Sequence, residues 1–514
     1  MRQETSIVRR PATHGRGGLV AAQHLGAAEV GAEVLRAGGH AVDAAIATSF
    51  ALAVLEPWMS GPGGGGFMVI APKDGPVQVI DAGMVAPRAL DPAAFPLDPD
   101  AGHDVDLFGW PRVVADRNVT GPLAIAVPGL VDGLGLAHQK YGRLPWRELL
   151  APAVGLAAAG LPLSWFACLR IQLSARELAG VPTGRDVYLP DGLPPVPDQG
   201  HLPMPRLADT LAHLAAAGPR DLYQGQLAQA LVRDIRTAGG VLAADDLAGY
   251  RARLVDPLSI DHAGHTIHTP GGLTAGPTLA DALSRIAGRI RQGQPGPEAF
   301  VAWAEALMAA YEVRLRTMGD VDDRRDPACT THLVVQDSQG TLVSLTQTLL
   351  SVFGSKLVAP ATGILLNNGI MWFDPRPGGP NAIRPGRRPL ANMCPTVATR
   401  AGVPVLALGG SGGRKIMPAV LQLTSMILDG GITPEDAFHA PRIDVSGEPF
   451  VTADIRLPKA VIEALATRFR VVPAESLVSP SAFTVPTGIA RDPATGEAQG
   501  LTHPHLPVAG AVAA

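Results

Sequence analysis

The stretch that decides the fold begins Cys329-Thr330-Thr331-His332-Leu333-Val334-Val335, breaks at Asp337-Ser338-Gln339-Gly340, and resumes as Thr341-Leu342-Val343-Ser344-Leu345-Thr346-Gln347-Thr348. Both halves alternate and are rich in β-branched residues, and the break is made of turn formers. The stretch therefore reads as a β-hairpin with Thr330 at the head of its first strand. Just upstream, Asp320-Val321-Asp322-Asp323-Arg324-Arg325-Asp326 is the sharpest charge cluster in the chain and reads as an exposed connector. A threonine that follows such a connector becomes N-terminal by a single backbone cut. Its hydroxyl, weak as a nucleophile, then has a neighbouring α-amine of near-neutral pKa to take its proton. The same residues also suit an ordinary sheet threonine, and the pattern alone leaves that reading open.

Outward from the hairpin, Gly409-Gly410-Ser411-Gly412-Gly413 lies between the apolar run Val403 to Leu408 and a predicted helix, Met417 to Leu428. It reads as a strand-to-helix loop whose amides at Gly412 and Gly413 suit a developing oxyanion. Near the start, Ala27 to Ala37 has helical spacing and a Gly38-Gly39 stop. Ala41 to Leu55 is apolar nearly all round, as expected of a helix packed inside, and Pro57 ends it. Pro62-Gly63-Gly64-Gly65-Gly66 leads into Phe67-Met68-Val69-Ile70, which reads as a buried strand. Residues 128–310 are helix-rich.

The 514 residues exceed one ordinary hydrophobic core, so two domains or one large elaborated fold is expected. With 17% charged and 46% hydrophobic residues, 59 Gly and 48 Pro, the composition fits a loop-rich globular protein. A net charge of −4 without basic runs argues against nucleic acid or an acidic membrane as partner. Cys168, Cys329 and Cys394 are too few and too widely spaced for a disulfide framework. Met1 to Arg16 is polar and basic without an apolar stretch, so a cytoplasmic location is expected. No run reaches the length of a membrane span. His262, His265 and His268 alternate faces in a strand context, which argues for hydrogen-bonded histidines over a metal site. His503 and His505 read as part of a terminal loop. Neither glycine loop has the Lys-Ser or Lys-Thr of a phosphate loop, Gly413 being followed by Arg414-Lys415-Ile416.

The hairpin, together with Phe353-Gly354, Gly363-Ile364-Leu365-Leu366-Asn367-Asn368, Arg388-Pro389-Leu390, Met393, Pro395-Thr396, Gly412-Gly413 and Ala440-Pro441-Arg442, closely resembles the small-subunit half of gamma-glutamyltranspeptidases. Gly38-Gly39-His40-Ala41-Val42-Asp43-Ala44-Ala45, Glu56-Pro57, the glycine loop to Phe67, and Tyr141-Gly142-Arg143-Leu144-Pro145-Trp146 resemble the large-subunit half. The resemblance implies an α+β fold, a four-layer αββα sandwich of the N-terminal-nucleophile hydrolases. It further implies autocatalytic cleavage between Cys329 and Thr330 into segments 1–329 and 330–514, which stay together. By position, Thr330 would be the nucleophile, Thr348 its hydrogen-bonding partner, and Gly412 and Gly413 the oxyanion hole. No cofactor or metal is implied, and the partners are a small-molecule amide and the two fragments of one precursor.

The positions that recognise a glutamyl head in this family differ together. The carboxylate-gripping arginine falls on Gly83, a polar position on Leu350, a glutamine on Gly369, the acid that holds the substrate amine on Trp372, and the paired serines on Ala391 and Asn392. A zwitterionic head would meet apolar wall there, at a cost of several kcal/mol. The expected substrate is therefore an amide without that head, as in the cephalosporin-acylase-like and oxamate-amidohydrolase-like branches. Arg376, Arg384, Arg387 and Arg388 are candidates for a replacement anion contact, with a solvated surface role as the rival reading. The segment from Asp374 to Pro385 is shorter than the lid-bearing loop of many relatives and implies a more open site. A true gamma-glutamyltransferase or glutathione hydrolase is the alternative activity, and an uncleaved, non-catalytic binding relative is the alternative of another class.

Overall fold

A computed structural model describes residues 8–101, 110–197, 200–318, 329–478 and 482–514. The predicted hairpin forms as the antiparallel strands Cys329–Asp337 and Leu342–Leu350. Asp337 closes its turn, with Oδ1 accepting from Gln339 N and Thr341 N at 3.0 Å each. Its Oδ2 accepts from Ala41 N at 3.2 Å, so one carboxylate ties the hairpin to the N-terminus of the helix Ala41–Leu55. The acidic connector upstream lies outside the described residues.

The hairpin is the centre of a seven-stranded antiparallel sheet. Its order is Gly510–Ala513, Gly18–Ala22, Cys329–Asp337, Leu342–Leu350, Gly65–Ala71, Gln78–Ala82, Arg253–Val255. A second seven-stranded sheet runs Thr13–Gly15, Ala498–Thr502, Val485–Arg491, Val403–Ser411, Thr396–Arg400, His265–Thr269, Leu258–His262. Period-two alternation sorts their side chains into layers. Leu333, Val335, Val343 and Leu345 point outward into the core shared with the helices Leu25–Arg36 and Ala41–Leu55. Val334 and Leu342 point inward, where they meet Ala407 and Ile489 of the other sheet. On the far side, Leu406 and Leu408 pack under the helices Gly276–Ile286, Pro297–Thr317 and Ile416–Leu428. The result is the expected αββα sandwich. Among the described residues no helix is long and apolar enough to cross a membrane.

The glycine stretch differs from its reading as a loop. The strand Val403–Ser411 runs through Gly409 and Gly410, and only Gly412 and Gly413 turn the chain toward the helix. The reason is intersheet distance. A Cβ on Gly409 would lie 2.2 Å from the ring of His332, which fills the space between the sheets and bonds Thr346 Oγ1 at 2.8 Å. The first helix also begins earlier and ends earlier than expected, at Leu25–Arg36.

Candidate active site

Thr330 is 3% exposed and sits where the hairpin ladder is irregular: Cys329 pairs with Leu350, but Thr331 pairs with Gln347. Such a bulge re-aims the side chains beside it. Thr330 Oγ1 lies 3.4 Å from Thr348 Oγ1, which in turn accepts from Leu350 N at 2.8 Å. Leu350 holds φ +90°, a strained value for a branched residue, and the hydrogen bond to Thr348 helps to keep it there.

Behind Thr330, the Thr331 hydroxyl donates to Glu56 Oε2 at 2.8 Å. Glu56 follows the buried helix and is itself fully buried. Desolvation pushes its carboxyl up to about 8, against the opposing pull of the Thr331 bond and the charge of Arg170. Glu56, Ser411 and Gly412 line one small cavity of about 70 Å³. Ser411 Oγ donates to Gln23 Oε1 at 2.9 Å, and Gln23 Nε2 donates to Val485 O at 3.0 Å, which fixes the end of the strand. Gly412 and Gly413 hold φ +141° and +60°, values that favour glycine, and sheet pairing stops before them at Ser411. The chain leaving them forms a helical turn and then the helix Ile416–Leu428.

A second cleft, of about 870 Å³, has a lining that includes neither Thr330 nor Thr348. Of the divergent positions, Gly83, Trp372 and Ala391 line it. Leu350 belongs to the apolar cluster that contains Phe67, Met84, Trp372 and Ala391, and its amide bonds Thr348 Oγ1. Gly369 and Asn392 are used elsewhere. A Cβ on Gly369 would lie 2.7 Å from Ala126 Cβ and 2.8 Å from Met84 Sδ, so packing dictates glycine. Asn392 Oδ1 accepts from the buried Arg314 Nη2 at 2.9 Å. Of the candidate arginines, Arg384, Arg387 and Arg388 line the cleft. Arg376 instead grips Asp374 and lies over the Trp110 ring.

Two cleft residues escaped the sequence reading. Asp81 Oδ1 accepts from Arg388 Nη1 at 3.1 Å and from Gly83 N at 2.9 Å, and Asp81 Oδ2 pairs with Arg253. Asp81 faces Arg253 across the strands Gln78–Ala82 and Arg253–Val255, a pairing over 172 positions that no local motif signals. The three spaced histidines have separate partners: His262 meets Asp429, His265 its neighbour Ala263 O, and His268 both Ser259 and Thr399. His503 lies in the terminal loop expected for it, between the strands Ala498–Thr502 and Gly510–Ala513, and is buried there. Burial and nearby cations, Arg442 first among them, hold its imidazole well below the usual range.

Comparison with known proteins identifies the family. The family model for gamma-glutamyltranspeptidase matches residues 27–327 and 322–505. The Acylase ACY 1 proenzyme of Pseudomonas sp. strain V22 is 33% identical over 90% of this chain and 88% of its own length. The glutathione hydrolase proenzyme of Pseudomonas sp. strain A14 is 31% identical, over 83% of this chain and 81% of its own. The crystal structure of cephalosporin acylase from Bacillus halodurans superposes with a TM-score of 0.86 at 26% identity, covering 100% of this chain and 99% of that one. With the αββα sandwich and these matches in hand, the chain belongs to the gamma-glutamyltranspeptidase family and is an amidohydrolase of the N-terminal-nucleophile type.

Proposed function

We propose that the chain cuts itself between Cys329 and Thr330 and then hydrolyses an amide through an acyl ester on Thr330, its acyl group lacking a glutamyl amino-acid head. In the first step the Thr330 hydroxyl attacks the Cys329 carbonyl carbon. The C–O bond forms, the Cys329–Thr330 C–N bond breaks, and the nitrogen takes up the proton as a free α-amine. Water then splits the ester, leaving a Cys329 carboxylate and a Thr330 hydroxyl. In turnover the α-amine accepts the hydroxyl proton as Oγ1 attacks the substrate carbonyl, and returns it to the departing amine. The amides of Gly412 and Gly413 hold the oxyanion in both reactions. Thr348 keeps Oγ1 aimed.

The observation that carries this reading is the buried Thr330–Thr348 hydroxyl pair at 3.4 Å, set at a bulge at the head of a central strand. The head specificity is inferred from the apolar wall that Trp372 and Ala391 give the cleft, and from Asp81, whose carboxylate in the same lining is taken up by Arg388 and Arg253. Relatives named as acylase and as glutathione hydrolase proenzymes are about equally similar, so our reading of the substrate class is argued from the cleft. On denaturing electrophoresis the purified protein should give two fragments, the smaller starting at Thr330. Thr330→Ala should give one unbroken, inactive chain, and wild-type turnover by that variant would refute the mechanism. γ-Glutamyl anilide should be a far poorer substrate than the same anilide of a simple acyl group.

A further inference from the structure

On the far side of Thr484 from Gly412, a buried arginine lacks a counter-charge. Arg442 precedes the strand Ile443–Asp444 and is only 5% exposed. Among the described residues its guanidinium makes a single hydrogen bond, from Nη2 to Thr484 O at 3.2 Å, and no ion pair. Thr484 in turn packs against Gly412, its Oγ1 2.9 Å from the position a Cβ would take there. Asp454, whose amide donates to Arg442 O at 3.1 Å, is committed to another arginine. Its Oδ1 accepts from Arg456 N at 2.9 Å and Nε at 3.0 Å, and its Oδ2 from Arg456 Nη2 at 2.6 Å. That pair is neutral as a unit, so the charge of Arg442 stands uncompensated. Arg10 adds a further cation nearby, its own guanidinium bonded to the carbonyls of Ala509 and Pro507. A buried guanidinium in this condition is strongly unfavourable unless a negative charge meets it.

Arg442 lines a cavity of about 10 Å³, room for one occupant the size of a water molecule. It adjoins the cavity at Gly412, since Phe483, His503 and His505 line both. Ser476 and His503 stand in the smaller lining beside Arg442, and both are buried. His503 Nδ1 accepts from His505 N at 3.2 Å, so the neutral ring carries its proton on Nε2. Burial, and then the charges of Arg442, His505 and Arg456, keep that ring neutral. The Ser476 hydroxyl makes no hydrogen bond to another described residue. The cavity thus gathers a full positive charge, an imidazole N–H and a hydroxyl, and the acid in its lining is Asp454, already paired. An anion accepts from all three donors, whereas a water would leave the charge of Arg442 unbalanced.

We infer that Arg442, Ser476 and His503 form a binding site for one small monovalent anion, chloride in ordinary buffers, which supplies the counter-charge that Arg442 lacks. The site is independent of the chemistry proposed for Thr330, so the test uses the purified full chain whether or not it has been cut. Melting temperatures are measured at constant ionic strength while sodium gluconate, whose anion is too large for the cavity, is replaced by sodium chloride or sodium bromide. The wild type should rise along a saturating curve, by about 2 °C or more, because a ligand bound only by the folded state stabilises it. His503→Asp sets a carboxylate beside Arg442. It should melt above the wild type in gluconate and lose the response to chloride. Arg442→Gln removes the charge and should lose the response as well, and His503→Asp decides the matter should Arg442→Gln fold poorly. Crystals of the wild type grown in bromide should show the anomalous signal of the ion within hydrogen-bonding reach of Arg442 and His503 Nε2, and those of His503→Asp should show none there. Equal melting of the wild type in chloride and gluconate overturns the site. So does a chloride response that survives in His503→Asp, or bromide found only elsewhere on the protein, which would mark an adventitious ion only.

Discussion

In the proposed mechanism, single side chains around Thr330 divide the work between aiming and proton control. Thr348 Oγ1 is held by Leu350 N and sits within reach of Thr330 Oγ1. Thr348→Val keeps the shape and loses the hydroxyl, so kcat should fall by about a hundredfold with little change in KM, measured by steady-state kinetics on a simple acyl anilide. Glu56 makes a prediction of another kind. Its carboxyl is raised by burial from 4.5 to about 8, so the folded protein keeps a proton that the unfolded chain releases. Where the native state binds more protons, stability falls as pH rises, here between pH 4.5 and about 8. Glu56→Gln keeps the acceptor for Thr331 and removes this slope. Melting temperatures across that window should be flatter in the variant, and an unchanged slope would show that Glu56 ionises freely. The sequence displayed Thr330 and Thr348 because their spacing spans one hairpin. Asp81 and Arg253 stayed hidden because their meeting depends on strands far apart in the chain.

Elements meet closely where glycine permits it. Gly409 belongs to a strand, and its missing side chain lets the two sheets close on His332. Gly409→Ala should cost about 1–3 kcal/mol by overpacking, read from urea unfolding. Combining it with His332→Ala should cost less than the two changes added, because they share one space. Gly412 differs, since both its φ of +141° and Thr484 Oγ1, 2.9 Å from a built Cβ, oppose a side chain. Gly412→Ala should lower turnover by about 10²–10³-fold and slow self-cleavage in parallel, followed as the decay of the intact chain on gels. The five-residue glycine stretch looked like one loop because glycine has two uses, turning a chain and admitting a neighbour, and composition does not separate them.

At the scale of the molecule, the two segments on either side of Thr330 are interleaved. In the hairpin sheet, Gly18–Ala22 lies between Gly510–Ala513 and Cys329–Asp337, and Gly65–Ala71 pairs with Leu342–Leu350. The second sheet likewise joins His265–Thr269 to Thr396–Arg400. After the proposed cut the fragments should therefore elute as one species in size-exclusion chromatography and separate only in denaturant, neither refolding alone. What the sequence by itself determined was the local and the repeated: the hairpin, the buried helix Ala41–Leu55, the threonine at the head of a strand, and motifs that carry a family resemblance over nearly the whole chain. Alternation and spacing are properties of neighbours, so they survive in one dimension. Only the tertiary structure decided which divergent positions reach the cleft, that Arg388 occupies the space beside Gly83, and that Asp81 is shared by two arginines. Those facts arise from segments brought together by sheet pairing and layer packing, and the charge balance of a cavity belongs to no single stretch of chain.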